Sequence, residues 1–252
     1  MTLFDHFLIL VLFVVQPIHG WLYIRRYLKK IAAGEPADRP RLYRETQIFE
    51  WVFLAVLLAG FFSLSRDPST LGFVNAGGTG FWICAALIAA GSIAMILSTK
   101  SSRQLSQSDR DKQRVSFGDL GHFLPQDDRD LASFYRVSVT AGIVEEIVFR
   151  GFVLWYLSFF MALWPALLVS SIAFGLGHSY QGFSGIIRTG LVGLAFGVLF
   201  VVSGSIWLPI VGHILVDVLQ GRQLREIYRD VDEPAAAGIR LGNCLGINDV
   251  KP

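Results

Sequence analysis

Charge is scarce in this sequence. Asp, Glu, Lys and Arg make up 17% of its 252 residues, against about 25% in a soluble domain, while 53% of it is hydrophobic. An ordinary soluble domain is excluded. The apolar residues come in blocks near the roughly 17–25 residues that a helix needs to cross a bilayer. Positive charges cluster between these blocks, which reads as membrane topology rather than a binding patch, so no nucleic-acid partner is expected. Cysteine is scarce too. Cys84 lies in an apolar run and Cys244 in the polar tail, which rules out a disulfide framework and any Cys-based metal spacing. The opening run Phe7–Val15 has no basic stretch before it and no Ala-x-Ala after it, so it reads as an uncleaved span rather than a signal peptide. The zincin motif His-Glu-x-x-His is missing. No long internal repeat is present, which argues against a transporter carrying a proton relay. The terminal Asp249-Val250-Lys251-Pro252 offers no lipidation motif.

What is present organises easily. A first span is expected over Phe4–Ile24, then a basic loop holding Arg25, Arg26, Lys29, Lys30, Arg39, Arg41 and Arg44. A second span follows over Ile48–Leu64 and a third over Gly80–Leu97. Residues 98–130 are polar and mixed in charge, with a short interfacial helix expected. Asp127, Asp128 and Asp130 then suit a helix N-terminus. From Leu131 to Leu219 the chain is almost continuously apolar. Breaks at Arg150-Gly151, Trp164-Pro165, Ser179–Ser184 and Ser203-Gly204-Ser205 give four or five helices. The expected fold is an all-α polytopic membrane bundle of seven to eight helices around a buried polar cavity. It divides into N-terminal membrane helices (1–130, with a cytoplasmic loop at about 98–130), a core (131–220) and a polar C-terminal tail (221–252). The basic first and third connections, with Arg222, Arg225 and Arg229, put the C-terminal side in the cytoplasm and require an odd number of crossings. Gly185, Thr189, Gly193 and Gly197 form a small-residue ridge at i, i+4 spacing, expected to let a neighbouring helix come close.

Three polar motifs lie inside this apolar third: Glu145-Glu146-x-x-x-Arg150, Phe174-x-x-x-His178 and His213-x-x-x-Asp217. Ionisable groups at membrane depth are costly and mark function by default. On a helix, residues four apart share a face while neighbours diverge by about 100°. Glu146 and Arg150 can therefore pair as scaffolding, which leaves Glu145 free for chemistry. Phe174 stands one turn before His178 on the same face. His213 and Asp217 are one turn apart, so Asp217 either bonds the imidazole or stands beside it. Two mechanisms suit these groups. In one, His178, His213 and a carboxylate bind Zn²⁺, which acidifies a bound water. In the other, Glu145 and His178 activate the water while His213 and Asp217 orient the carbonyl or stabilise its oxyanion. A further pattern, Gly182-Phe183-Ser184-Gly185, matches the short motif of rhomboid serine proteases with His213 as base, but it leaves the glutamates and His178 without a role.

In that order, inside successive apolar helices, the three motifs resemble the CPBP family. These are the CAAX prenyl endopeptidases and their bacterial relatives, the Abi and bacteriocin-processing proteins. The resemblance covers Leu131–Leu219. It implies an all-helical intramembrane protease of about eight helices, with Glu145 activating water and His178, His213 and Asp217 completing the site. The family often has Asn where this chain has Asp217, which favours a ligand or His-orienting role there. The partners implied are a protein or peptide substrate near the membrane boundary and the lipid bilayer, and the location implied is a bacterial inner membrane. A leader or signalling peptide is expected as substrate there, since a CAAX substrate requires prenylation machinery. The rival expectation is a non-catalytic membrane scaffold or bacteriocin-immunity factor that uses the same cavity for binding.

Overall fold

The computed structural model describes residues 1–75 and 77–229, and among these it is all-helical, without strands. Eight helices follow in order: α1 (Leu3–Ala32), α2 (Arg39–Ser63), α3 (Thr79–Arg103), α4 (Gln107–Phe117), α5 (residues 128–157), α6 (Leu163–Gly177), α7 (Gly182–Ser203) and α8 (Trp207–Tyr228). Local chemistry sets their ends. Asp38 caps α2 by accepting from the Arg41 amide, with Pro40 just inside the start. Asp127 caps α5 through the Asp130 amide at 2.7 Å, and Gly204 ends α7 in the left-handed conformation at φ +67°. Three boundaries differ from expectation. The first two spans extend as helices into the basic loop, to Ala32 and from Arg39. The tail expected from residue 221 begins as the last two turns of α8. From residue 230 on, including Cys244 and Asp249–Pro252, it lies outside the described residues.

The break expected at Arg150-Gly151 is not a break. Asp128–Glu146 continues through a π-helical stretch, Ile147–Val153, into Leu154–Leu157. All seven π-helical residues are buried, so this part of α5 is enclosed on every side. Gly151 does not end the helix but admits a neighbour: a Cβ there would stand 3.1 Å from the Leu71 carbonyl oxygen. Wide turns of this kind are frequent at functional sites.

Contacts between helix ends define two poles. At the basic pole Tyr43 donates to the Phe123 carbonyl at 2.6 Å, Arg39 meets Asp130 at 3.3 Å, and Arg225 meets Asp128 at 3.0 Å. There too Arg110 of α4 donates to the Glu226 carbonyl at 3.0 Å. At the opposite pole Arg66 grips Asp5 with two bonds of 2.6 and 2.7 Å, Tyr156 meets His6 Nδ1 at 2.6 Å, and the Ile206 amide donates to the Gly72 carbonyl at 2.9 Å. Thus α2, α5 and α8 run from one pole to the other, while α4 packs at the basic pole. Leu3 and Tyr228 consequently sit at opposite poles.

Polarity is distributed inside out. Four helices are long and apolar enough to cross a membrane: Leu3–Ala32, Arg39–Ser63, Thr79–Arg103 and Ser179–Ser203. Their apolar windows are only 6–22% buried, while Asp5, Glu146, Arg150, Ser170 and Ser205 are buried in the interior. An apolar exterior of this extent needs hydrocarbon around it. The protein is an integral membrane protein.

Candidate active site

Three helices supply the polar side chains: α5 gives Glu145, Glu146 and Arg150, α6 gives Phe174 and, at its C-cap, His178, and α8 gives His213 and Asp217. Glycine sets the distance between α5 and α8. A Cβ on Gly142 would lie 2.9 Å from the Ile214 amide nitrogen and 3.3 Å from the Ile210 carbonyl oxygen, so the two backbones touch one residue from His213. Gly142→Ala is expected to push α8 outward at a cost of about 1–3 kcal/mol, the usual scale of overpacking. A fall in apparent melting temperature together with lost activity would show it; wild-type values for both would refute the close-approach argument.

That approach brings His213 Nδ1 to 2.8 Å from Glu146 Oε1. The same oxygen accepts from Arg150 Nη1 at 2.8 Å, while Arg150 Nη2 donates to the Gly193 carbonyl at 2.8 Å. The guanidinium also lies over the Phe174 ring, 4.7 Å from its centre. Glu146 therefore does more than the scaffolding expected of it, because it also orients an imidazole. The small-residue ridge needs correction as well. Gly193 and Gly197 do lie under α6 side chains, Phe174 and Leu167, but Gly185 faces Gln181 just before its own helix. The α6 and α7 backbones also come close at Gly175, where a Cβ would stand 2.5 Å from the Ile186 carbonyl oxygen and 3.2 Å from the Gly190 Cα.

The two imidazoles are held alike. His178 Nδ1 lies 2.9 Å from the Phe174 carbonyl oxygen, so it carries a proton and donates. His213 Nδ1 donates to Glu146. Both Nε2 atoms thus point to the carboxylate of Glu145, His178 at 4.0 Å from Oε1 and His213 at 3.9 Å from Oε2. His213 Nε2 is also 3.7 Å from Asp217 Oδ2, which stands beside the ring rather than bonding it. These gaps are too long for direct hydrogen bonds but match one intervening water, since two bonds of about 2.8 Å meeting at roughly 90° span about 4 Å. The Glu145 and His178 side chains keep 17% and 21% of their surface, so the place is reachable.

Zinc fits this geometry poorly. Bonds of about 2.0–2.1 Å in a tetrahedron put donors roughly 3.3 Å apart, and the pairs here stand 3.7–4.0 Å apart. Among the described residues no group of three or more His, Cys, Asp or Glu is arranged to hold a metal. The serine alternative fares no better. Ser184 is exposed at the start of α7, while both ring nitrogens of His213 face carboxylates.

Two neighbours of the site escaped the sequence reading. Glu50 of α2 lies within electrostatic reach of Glu145 and Asp217, and its Oε2 is buried with no hydrogen-bond partner among the described residues. Its signal was an acid two residues inside an expected span. Tyr180, just past His178, places its ring 5.9 Å from that imidazole, and nothing in its sequence context sets it apart.

Neither the curated proteins nor the solved structures contain a match to this chain. A family model does match over residues 128–219, the segment that supplies every side chain of the three motifs. Its description is Type II CAAX prenyl endopeptidase Rce1-like, so residues 128–219 of this chain are similar to the CAAX prenyl endopeptidases.

Proposed function

We propose that this protein is an intramembrane endopeptidase that hydrolyses a peptide bond of a membrane-associated protein or peptide with water activated by Glu145 and His178. One observation carries the reading: a single carboxylate faces the Nε2 atoms of two imidazoles across gaps of one water. Both rings are fixed from behind by their Nδ1 bonds. Water between Glu145 and His178 loses a proton to the carboxylate as its oxygen bonds to the scissile carbonyl carbon. The carbonyl oxygen becomes an oxyanion. His213, when protonated on both nitrogens, donates from Nδ1 to Glu146 and from Nε2 toward that oxyanion, with Asp217 beside the ring to balance its charge. Glu145 then returns the proton to the amide nitrogen and the C–N bond breaks.

No step in this scheme passes through a metal. Chelator-treated protein with far less than one metal ion per chain by mass spectrometry is expected to keep its full cleavage rate. Activity that vanished on chelation and returned with zinc would overturn the metal-free scheme. The basic pole is read as cytoplasmic from its Lys and Arg content, and the membrane as a bacterial inner membrane from the resemblance to bacterial relatives. A leader or signalling peptide is the substrate class that suits this setting.

Membrane proteomes of cells carrying the wild type and cells carrying Glu145→Gln test the function itself. At least one membrane peptide should accumulate uncut in the variant. Identical proteomes, with the cellular phenotype intact in Glu145→Gln, would instead indicate a scaffold that uses the cavity only for binding.

A further inference from the structure

Glu50 reaches the site from outside the family segment. It stands on α2, whose register against α5 is fixed one residue later by Trp51, which donates from Nε1 to the Thr140 hydroxyl at 3.1 Å. Glu50 shares a cleft with Glu145 that is otherwise walled by Leu12 and Gln16 of α1, Phe49 and Phe53 of α2, and Phe149 of α5. Three features of this cleft ask for one kind of occupant. Apart from the Gln16 amide and the two acids, its walls are apolar and aromatic, suited to an aliphatic stem and to a cation against ring faces. Its acid has a buried oxygen with no hydrogen-bond partner among the described residues, and such an atom is costly until something donates to it. Acids crowd here as well: Glu50 lies within electrostatic reach of Glu145 and Asp217, while Arg150 is taken by Glu146 and Gly193.

We propose that Glu50 and this cleft form a subsite for a basic side chain of the substrate, Lys or Arg, next to the scissile peptide bond. As it stands the cleft, about 20 Å³, holds little more than a water, so the Phe49, Phe53 and Phe149 rings must part to take the stem, after which the ammonium or guanidinium donates to Glu50. The inference rests on the endopeptidase reading for its position beside Glu145 but makes a claim of its own about selectivity.

Two measurements on the purified full-length protein separate the claims. Quenched fluorescent peptides that differ only in having Lys or its uncharged isostere norleucine at one position, scanned along an apolar sequence, give kcat/KM ratios. The same peptides are titrated for binding to Glu145→Gln protein, with and without Glu50→Gln. At one position the Lys peptide is expected to be cut, and bound by Glu145→Gln, about tenfold better or more, the scale of a charge-assisted hydrogen bond. Glu50→Gln should bring both ratios to about one while norleucine peptides are still cut, and Glu50→Asp should retain the preference, which excludes simple misfolding. Cleavage with no Lys preference at any position, or a preference that survives Glu50→Gln, overturns the subsite. Lys-selective binding that depends on Glu50, in protein that cuts none of the peptides, leaves the subsite standing and overturns the peptidase reading instead.

Discussion

Glu145→Gln is expected to slow peptide cleavage by about 10³-fold or more while leaving the amount of folded protein unchanged. A positioned general base contributes roughly 10²–10⁴-fold, and this one lies between both imidazoles. The fold should survive because Glu145, unlike Glu146, makes no direct hydrogen bond or short ion pair that holds the helices together. His178→Ala is expected to cost about 10²-fold, since it removes one of the two groups around the water and keeps the base. The double variant carries the sharper information. Groups acting on one water are strongly non-additive, so Glu145→Gln/His178→Ala should be no slower than Glu145→Gln alone. Rates that multiplied would mean the two residues act in separate steps. A wild-type rate for either single variant would remove the proposed mechanism altogether.

The bundle was legible because its signals are coarse: blocks of apolar residues, basic connections and Gly204 as a helix stop. Helix ends were less legible. Hydropathy marks where the bilayer begins, not where hydrogen bonding stops, so α1 and α2 run on into the basic loop as amphipathic extensions with Leu28, Leu42 and Tyr43 buried. Gly151 misled for a different reason. A glycine inside an apolar helix reads as a break, and only the packing of Leu71 against it reveals a close approach instead. At the site, i, i+4 spacing could pair Glu146 with Arg150, since that is geometry within one helix. The bond from His213 to Glu146 spans 67 positions and depends on Gly142 letting α8 in, which no local pattern encodes. Glu50 carried the same mark as the motif residues, an acid at membrane depth. It stood alone without a periodic partner, and solitary residues are where pattern reading is weakest.

Arg150→Met should show how much the buried pair contributes and what it is for. Arg150 is 2% exposed and Glu146 fully buried, so among the described residues the substitution strands a carboxylate that keeps only His213 as a donor and has a second oxygen already without a partner. Breaking such a pair costs about 3–5 kcal/mol. For a chain of this size that corresponds to a fall of roughly 6–20 °C in apparent melting temperature. Glu146→Gln strands the guanidinium in turn and should fall by a similar amount. The double variant Glu146→Gln/Arg150→Met contains no unpaired charge, so most of the lost stability should return. Activity should not return with it. Without the Glu146 carboxylate behind Nδ1, His213 loses the group that fixes its ring and balances its charge during the reaction. Stability restored without catalysis would separate the two tasks of Glu146, neutralising Arg150 and aiming His213. Recovery of both together would mean that the carboxylate serves the fold alone and that His213 needs no negative partner to do its work.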